Sequence, residues 1–474
     1  MQIPQIPLSA NGKIDRKALS IIEFEGKEEN EIIMAVTHEQ KILAKTFENV
    51  LNIKGIGINQ NIFELGADSL KVISVLTSIF KYKWDLSMQD FYKYPTIHQL
   101  SKKITEKEIN DKIAAASEAQ IEDRPEFIVN KYKRKKLTGS TLLTGSTGFL
   151  GSHILIELLE NTNEKIYCLI RDSKDNRPKE KLKHILDFYF MDKLIDWKRV
   201  EVIEGDITDN YFGMTADKYM KLCKKISVVV HSAALVKHYG DYKKSEKVNV
   251  KGTNEIVNFA KESKSCLYHI STLSISGKYL VDFNSTNKIF TEKDFYIGQK
   301  LEDNVYVKSK YEAEKIVRKA CAEGLNASIL RLGNITARFS DGKKPIDVFG
   351  NFFETRFSII FELGMVPDNI LNVDVEFTPV DECAKCIVSL LKNNVQNNVL
   401  HLINNNYVKL GKIIDVVNSK KIFVRTTKLT EFMNEVEQKK GNSIYMFYLL
   451  GEKEFNIFDD FQSNIEIEAE YSLK

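Results

Sequence analysis

One stretch constrains this chain more than any other. A short apolar run, Ser140–Thr144, passes straight into Gly145-Ser146-Thr147-Gly148-Phe149-Leu150-Gly151, and an apolar helical run follows to Glu160. A G-x-x-G-x-x-G alone is weak evidence, but between a strand and a helix it marks a loop that cradles a dinucleotide. Gly145 allows the tight turn, Gly148 lets the backbone approach a pyrophosphate, and Gly151 lets the helix pack on the strand. Further short apolar runs recur at Lys165–Ile170, Val200–Ile203, Ser227–Val230, Cys266–Ile270 and Ala327–Leu330, separated by helical stretches. Strands alternating with helices predict an α/β fold with a doubly wound parallel sheet. Beyond Thr336 the pattern becomes irregular, and residues 336–474 are expected to form a mixed α/β cap over the strand ends.

The loops after these strands supply the other cofactor candidates. Arg171 stands twenty residues after Gly151, at the end of the second strand. An acid there would bond a ribose hydroxyl, whereas a guanidinium suits a 2′-phosphate, so NADPH is expected over NADH. Asp206-Ile207 follows the third strand and fits a contact to adenine. Ser232-Ala233-Ala234 follows the fourth with small residues beside the cofactor, and Asn249 continues the pattern.

Tyr-x-x-x-Lys occurs at six places, starting at Tyr132, Tyr189, Tyr239, Tyr296, Tyr306 and Tyr311. Context selects Tyr306 and Lys310. Asp303-Asn304 can cap a helix, which puts Tyr306 in its first turn and Lys310 one turn later on the same face. The strand Cys266–Ile270 runs into Ser271-Thr272, and a hydroxyl there can meet the phenol. Hydride attack on a carbonyl builds charge on oxygen that must be hydrogen-bonded or protonated. A phenol is a reluctant acid near neutral pH; a nearby ammonium lowers its pKa. Thr272, Tyr306 and Lys310 are therefore the catalytic candidates.

The N-terminal part has a different texture. Residues 1–20 hold Asn11-Gly12, a turn signal, and cannot form a core. From Thr37 a helix is expected, with Gln40 completing a capping box and Ile42, Leu43, Phe47, Val50 and Leu51 on one face. Helical runs continue past Leu70–Phe80 and after Pro95-Thr96, so residues 36–108 read as a small helical bundle. Ser69, in Asn61-Ile62-Phe63-Glu64-Leu65-Gly66-Ala67-Asp68-Ser69-Leu70, would begin one of its helices. There the free amides and the dipole suit a phosphodiester. Residues 109–136 read as a charged linker, ending in a basic run that is most simply a solvated face. The dinucleotide-binding strand–helix pattern covers 137–335.

Composition narrows the class. The 474 residues are 43% hydrophobic and 28% charged, with net charge +3, which gives no electrostatic footprint for nucleic acid. No apolar run reaches membrane-spanning length, and the N-terminus has no secretory pattern. Six scattered cysteines suggest reduced thiols and a cytoplasmic setting. Cys383 and Cys386 form a lone C-x-x-C with no second pair, so no metal is expected.

These motifs resemble known families. The ten residues around Ser69 resemble the phosphopantetheine attachment site of acyl and peptidyl carrier proteins. That resemblance implies a covalent 4′-phosphopantetheine on Ser69, recognition through Asp68 and a phosphopantetheinyl transferase as partner. Residues 137–474 resemble the extended short-chain dehydrogenase/reductase superfamily. They are most similar to its thioester reductase branch through Tyr167-Cys168-Leu169-Ile170-Arg171, Ser271-Thr272-Leu273-Ser274, Tyr306-Val307-Lys308-Ser309-Lys310 and Thr378-Pro379-Val380-Asp381. Arg331-Leu332-Gly333 departs from that branch's usual Arg-Pro-Gly. Residues 1–20 resemble the last motif of an adenylation domain, with Lys13 as its lysine and nearly all of that domain missing. The order implies the terminal part of a nonribosomal peptide synthetase, with upstream adenylation and condensation modules. It implies NADPH-dependent release of a carrier-bound thioester as an aldehyde, or onward to an alcohol. A nucleotide-sugar epimerase or dehydratase, and a non-catalytic carrier-docking protein, are the alternative readings.

Overall fold

The computed structural model describes residues 33–67, 71, 72, 75, 78, 79, 82, 84, 86, 88–105, 139–172, 177–236, 242–277, 288–299, 301, 304–347, 351–438 and 465–469. Residues 1–20, the attachment motif Asp68-Ser69-Leu70 and the linker lie outside that set. The chain divides into two compact units, one up to Ile121 and one from Glu122.

The first unit is helical. Helix α1 (His38–Leu51) starts at Thr37, whose side chain accepts from the Gln40 amide, while the Gln40 side chain accepts from the Thr37 amide. The expected capping box is therefore present. Leu43 and Phe47 of α1 are buried, and the Phe47 ring lies 6.0 Å from Phe91 of α2 (Met88–Lys93). Val72, Val75 and Ile79 are also buried. They recur at helical spacing, as the run Leu70–Phe80 requires. A further helix covers 97–105 and buries Ile97, Leu100 and Ile104. The loop before the attachment motif is fixed at both ends. Ile62 N–H donates to the Pro95 carbonyl at 2.9 Å, and Lys71 Nζ donates to the Gly66 carbonyl at 2.8 Å.

The second unit is built on seven parallel strands: β1 (Ser140–Thr144), β2 (Ile166–Ile170), β3 (Val200–Glu204), β4 (Ile226–His231), β5 (Cys266–Thr272), β6 (Ala327–Leu332) and β7 (Val399–Leu402). Their spatial order is β7-β6-β5-β4-β1-β2-β3. The direction of winding reverses between β1 and β4, which leaves a crevice at their C-terminal ends where such sheets bind ligands. All five residues of β2 are buried, as expected for a strand covered on both faces. One face packs against α3 (Phe149–Asn161), α4 (Pro178–Tyr189) and a late helix, Val380–Lys392, through residues such as Leu155, Leu182 and Ile387. The opposite face packs against α5 (Ala216–Cys223), α6 (Gly252–Ser263) and α7 (Val305–Ala322) through Leu222, Phe259 and Val317.

Residues 336–474 are more than a cap. They return β7 to the main sheet, in register with β6 from Val399 opposite Ile329 to Leu402 opposite Leu332, and place Val380–Lys392 in the core. The sequence hides β7 because it is four residues long and His401 interrupts its apolar run. The rest of this region includes helix Phe352–Leu363 and short two-stranded ribbons, among them Met365–Pro367 with Arg425–Thr427.

Candidate active site

The glycine loop is a backbone-lined cradle. Gly145 has φ +76°, and a Cβ there would lie 2.7 Å from the Ala233 nitrogen, so only glycine fits between β1 and the loop after β4. A Cβ on Gly151 would lie 2.1 Å from the Gly145 carbonyl oxygen, which is the close helix-to-loop packing its position requires. Helix α3 opens on Gly148 with no side-chain cap. Its first amides therefore have no intrahelical acceptor and carry the positive end of the helix dipole. That donor set fits a pyrophosphate.

Arg171 and Asp206, from the ends of β2 and β3, face each other at 3.8 Å. The Arg171 side chain is 67% exposed and so remains open to a ligand anion. Asp206 also accepts from the Thr208 amide at 2.8 Å, and Ile207 beside it is buried. Ser232, Ala233 and Ala234 follow β4 as half-buried residues, and Ala233 N–H donates to Thr144 Oγ1 at 3.2 Å. Asn249 lies in a π-helical turn (Glu246–Lys251) and uses its side chain on the protein. It donates to the Leu235 carbonyl at 3.1 Å and to Ser309 Oγ at 2.8 Å, and accepts from the Leu235 amide at 2.7 Å. This geometry makes Asn249 a positioning residue for the loop after β4.

Thr272 and Tyr306 come from the end of β5 and the start of α7, and the Thr272 hydroxyl donates to Ser274 Oγ at 3.1 Å. Thr272 ends β5 and caps a 3-10 turn (Leu273–Ser276), accepting from the Ser274 amide at 3.2 Å. Asn304 caps α7 by accepting from the Tyr306 and Val307 amides, which sets Tyr306 in the first turn. Burial pushes the Tyr306 phenol up to about 12, with the neighbouring Thr272 side chain opposing the rise. Strand alternation separates the two hydroxyls of the Ser271-Thr272 pair: Ser271 donates to Glu314 Oε2 at 2.8 Å, away from the phenol.

Lys310 is tied to the neighbouring strand. It sits one turn after Tyr306, buried, with its ammonium donating to the Ile270 carbonyl at 2.6 Å. Burial pulls its pKa down to about 8, opposed by the Glu314 carboxylate. An ammonium has three donors, and the Ile270 carbonyl takes one of them.

A buried polar chain that sequence reasoning missed connects the two halves of the site. Thr144 Oγ1 bonds His231 Nδ1 at 2.8 Å, His231 Nε2 bonds Thr253 Oγ1 at 3.1 Å, and Thr253 donates to the Asn249 carbonyl at 2.6 Å. Asn249 then reaches Ser309, which donates to the Tyr306 carbonyl at 2.8 Å. Burial drives the His231 pKa down to about 3, so the ring is neutral and can accept as well as donate. The available signal was the His231 that ends an otherwise apolar β4. The C-x-x-C pair splits, with Cys383 buried and Cys386 exposed, and no metal-binding cluster occurs among the described residues.

Comparison with known proteins agrees with this geometry. Residues 143–387 match the NAD-binding family described as Male sterility protein, and residues 41–104 match the family described as Phosphopantetheine attachment site. The chain belongs to the former family and carries a unit of the latter ahead of it. It is 27% identical over 460 residues to a linear gramicidin synthase of Brevibacillus parabrevis, covering 92% of this chain and 9% of that protein. It is 25% identical to L-2-aminoadipate reductase of Saccharomyces cerevisiae, covering 84% of this chain and 31% of that one. The chain thus spans about a third or less of these relatives. Among solved structures, a thiolation-reductase di-domain from an archaeal non-ribosomal peptide synthetase superposes with TM-score 0.64 at 29% identity, over 91% of both chains. The terminal R domain of the myxalamid pathway shares the fold, with TM-score 0.62 at 23% identity, over 76% of this chain and 91% of that one. The chain thus carries a phosphopantetheine-attachment unit ahead of an NAD-binding domain.

Proposed function

We propose that this chain reduces an acyl or peptidyl thioester, held on a 4′-phosphopantetheine arm at Ser69, and releases it as an aldehyde and free thiol. The reading divides the chain into a carrier domain over 36–108 and a reductase from 137 onward. The observation that carries it is the dinucleotide-type glycine loop at the end of β1, with Thr272 at the end of β5 and Tyr306 in the first turn of α7, in a chain that also has a carrier unit. NADPH, when bound, supplies the hydride. Gly145, Ser146, Thr147, Gly148, Phe149, Leu150 and Gly151 would hold its pyrophosphate, Arg171 its 2′-phosphate, and Asp206 and Ile207 its adenine end. Ser232, Ala233 and Ala234 leave room beside the cofactor.

Thr272 and Tyr306 hydrogen-bond the carbonyl oxygen as it gains charge, and the protonated phenol is the proton donor on that side. Lys310 orients the ribose and supplies positive charge near the oxyanion. Tethering the substrate to the same chain raises its effective concentration at the reductase. A phosphopantetheinyl transferase loads Ser69, and upstream adenylation and condensation modules deliver the acyl group. The setting is the cytoplasm; among the described residues no helix is long and apolar enough to cross a membrane.

The test is single-turnover reduction of an aminoacyl-loaded holoprotein with NADPH. The aldehyde trapped as an oxime, in amounts matching NADPH consumed, supports the reading. Hydrolysed acid with no NADPH consumption removes it.

A further inference from the structure

The hydrogen bond from Ser271 to Glu314 joins the two elements that carry the Thr272–Tyr306 pair, β5 and α7. Glu314 is fully buried, one turn beyond Lys310 and two beyond Tyr306 on the same helix. Its carboxylate is held from the far side. Arg331 Nη2 donates to Oε1 at 2.7 Å, Arg331 Nε lies 3.2 and 3.3 Å from the two oxygens, and Arg318 Nε donates to Oε1 at 3.3 Å. Arg331, itself fully buried on β6, is locked in turn. It donates to the Thr291 carbonyl at 3.2 Å and the Asp294 carbonyl at 2.6 Å, meets His401 Nε2 of β7 at 3.2 Å, and lies over the Phe290 ring at 4.7 Å. Ser271 is therefore bonded to an anion held from several sides, and Thr272 is the next residue. A carboxylate held in this way sets the rotation of the strand end that aims Thr272.

We propose that Glu314 is a positioning residue which, through Ser271, aligns the Thr272 hydroxyl with the Tyr306 phenol. This rests on the reading of Thr272 and Tyr306 as the oxyanion donors. Arg331, where a fully buried guanidinium needs an anion, is the counter-charge that keeps Glu314 ionised and in place.

Ser271→Ala is the decisive variant, because it removes one hydroxyl and leaves both arginines paired with Glu314. Glu314→Gln would strand two buried cations and could unfold the protein. Two readouts are taken on the holoprotein: single-turnover reduction, and the 13C-methyl spectrum of labelled threonine, with the Thr272 signal assigned through Thr272→Ser. The expected result is a roughly tenfold lower reduction rate with NADPH Kd within about twofold, and a Thr272 methyl signal that shifts and broadens. An unshifted, sharp methyl signal overturns the proposal. So does a shifted signal with an unchanged rate, which would make the contact merely structural. If the wild-type protein reduces no thioester, the functional reading fails, and the methyl spectrum alone still decides whether Ser271 and Glu314 fix Thr272.

Discussion

Lys310, one turn after Tyr306 on α7, donates its ammonium to the Ile270 carbonyl at 2.6 Å, two residues before Thr272 on β5. The cation is thereby built into the end of β5. On the proposed reading it supplies positive charge near the oxyanion, and its protonation is the pH-sensitive element.

The pH profile follows from that placement. Lys310 is pulled down to about 8 from its ordinary 10.5, while the Tyr306 phenol is pushed up to about 12. At neutral pH both carry their protons. The rate of reduction, read as kcat/KM, is expected to fall as pH rises through about 8, with the alkaline limb belonging to Lys310. The stability effect has the opposite sign. The folded pKa lies below the unfolded one, so between about 8 and 10.5 the unfolded chain binds more protons and this group's contribution to stability rises with pH. Below about 8 the full cost of the buried ammonium is present. Lys310→Met should therefore abolish reduction without lowering Tm at pH 7, as thermal melts would show. A large loss of Tm would mean that the Ile270 contact outweighs the desolvation cost.

Removing the proton donor should cost more than removing its partner. Tyr306→Phe is expected to lower the single-turnover rate by about 10²–10⁴-fold. Thr272→Ala is expected to lower it by about 10²–10³-fold, as for loss of one oxyanion donor. NADPH affinity, followed by fluorescence, should change little in Thr272→Ala. A drop in affinity with an unchanged rate would place Thr272 in cofactor binding.

Arg171 should decide which dinucleotide is used. Its guanidinium is largely exposed and meets Asp206 at 3.8 Å, too far for a hydrogen bond. Charge-assisted hydrogen bonds to a 2′-phosphate are each worth about 1.5–3 kcal/mol, so Arg171→Ala should weaken NADPH about 10–100-fold. NADH affinity should stay the same. Equal weakening of both would remove the 2′-phosphate assignment.

Asn249→Ala tests the buried polar chain. It leaves the Leu235 amide and carbonyl, and the Ser309 hydroxyl, without this partner. A stability loss of about 1–3 kcal/mol is expected from denaturant melts. NADPH binding should weaken with it, because the loop after β4 loses its anchor. Gly145→Ala should be worse, since its φ of +76° and the 2.7 Å approach to Ala233 leave no room for a methyl.

Local signals were legible in the sequence where they are local in physics. The Thr37–Gln40 capping box, the turn at Gly145, the cap at Asn304 and six of the seven parallel strands follow from neighbouring residues alone. What was not legible depends on contacts distant in sequence. Strand β7 is recognisable only once Arg331 gives His401 a buried partner, 70 residues away. The burial of Lys310 against Ile270 and the roles of Glu314 and His231 likewise depend on which strand faces which helix. Periodicity cannot assign a partner to a polar residue inside an apolar strand.

The most direct measurement is NADPH oxidation by protein loaded through Ser69 with an aminoacyl-phosphopantetheine, compared with unloaded protein, Ser69→Ala and Tyr306→Phe. The account predicts oxidation only in the loaded wild-type protein, with aldehyde or alcohol appearing in proportion. Confirmed loading and NADPH binding with no oxidation across a broad set of acyl groups would contradict it.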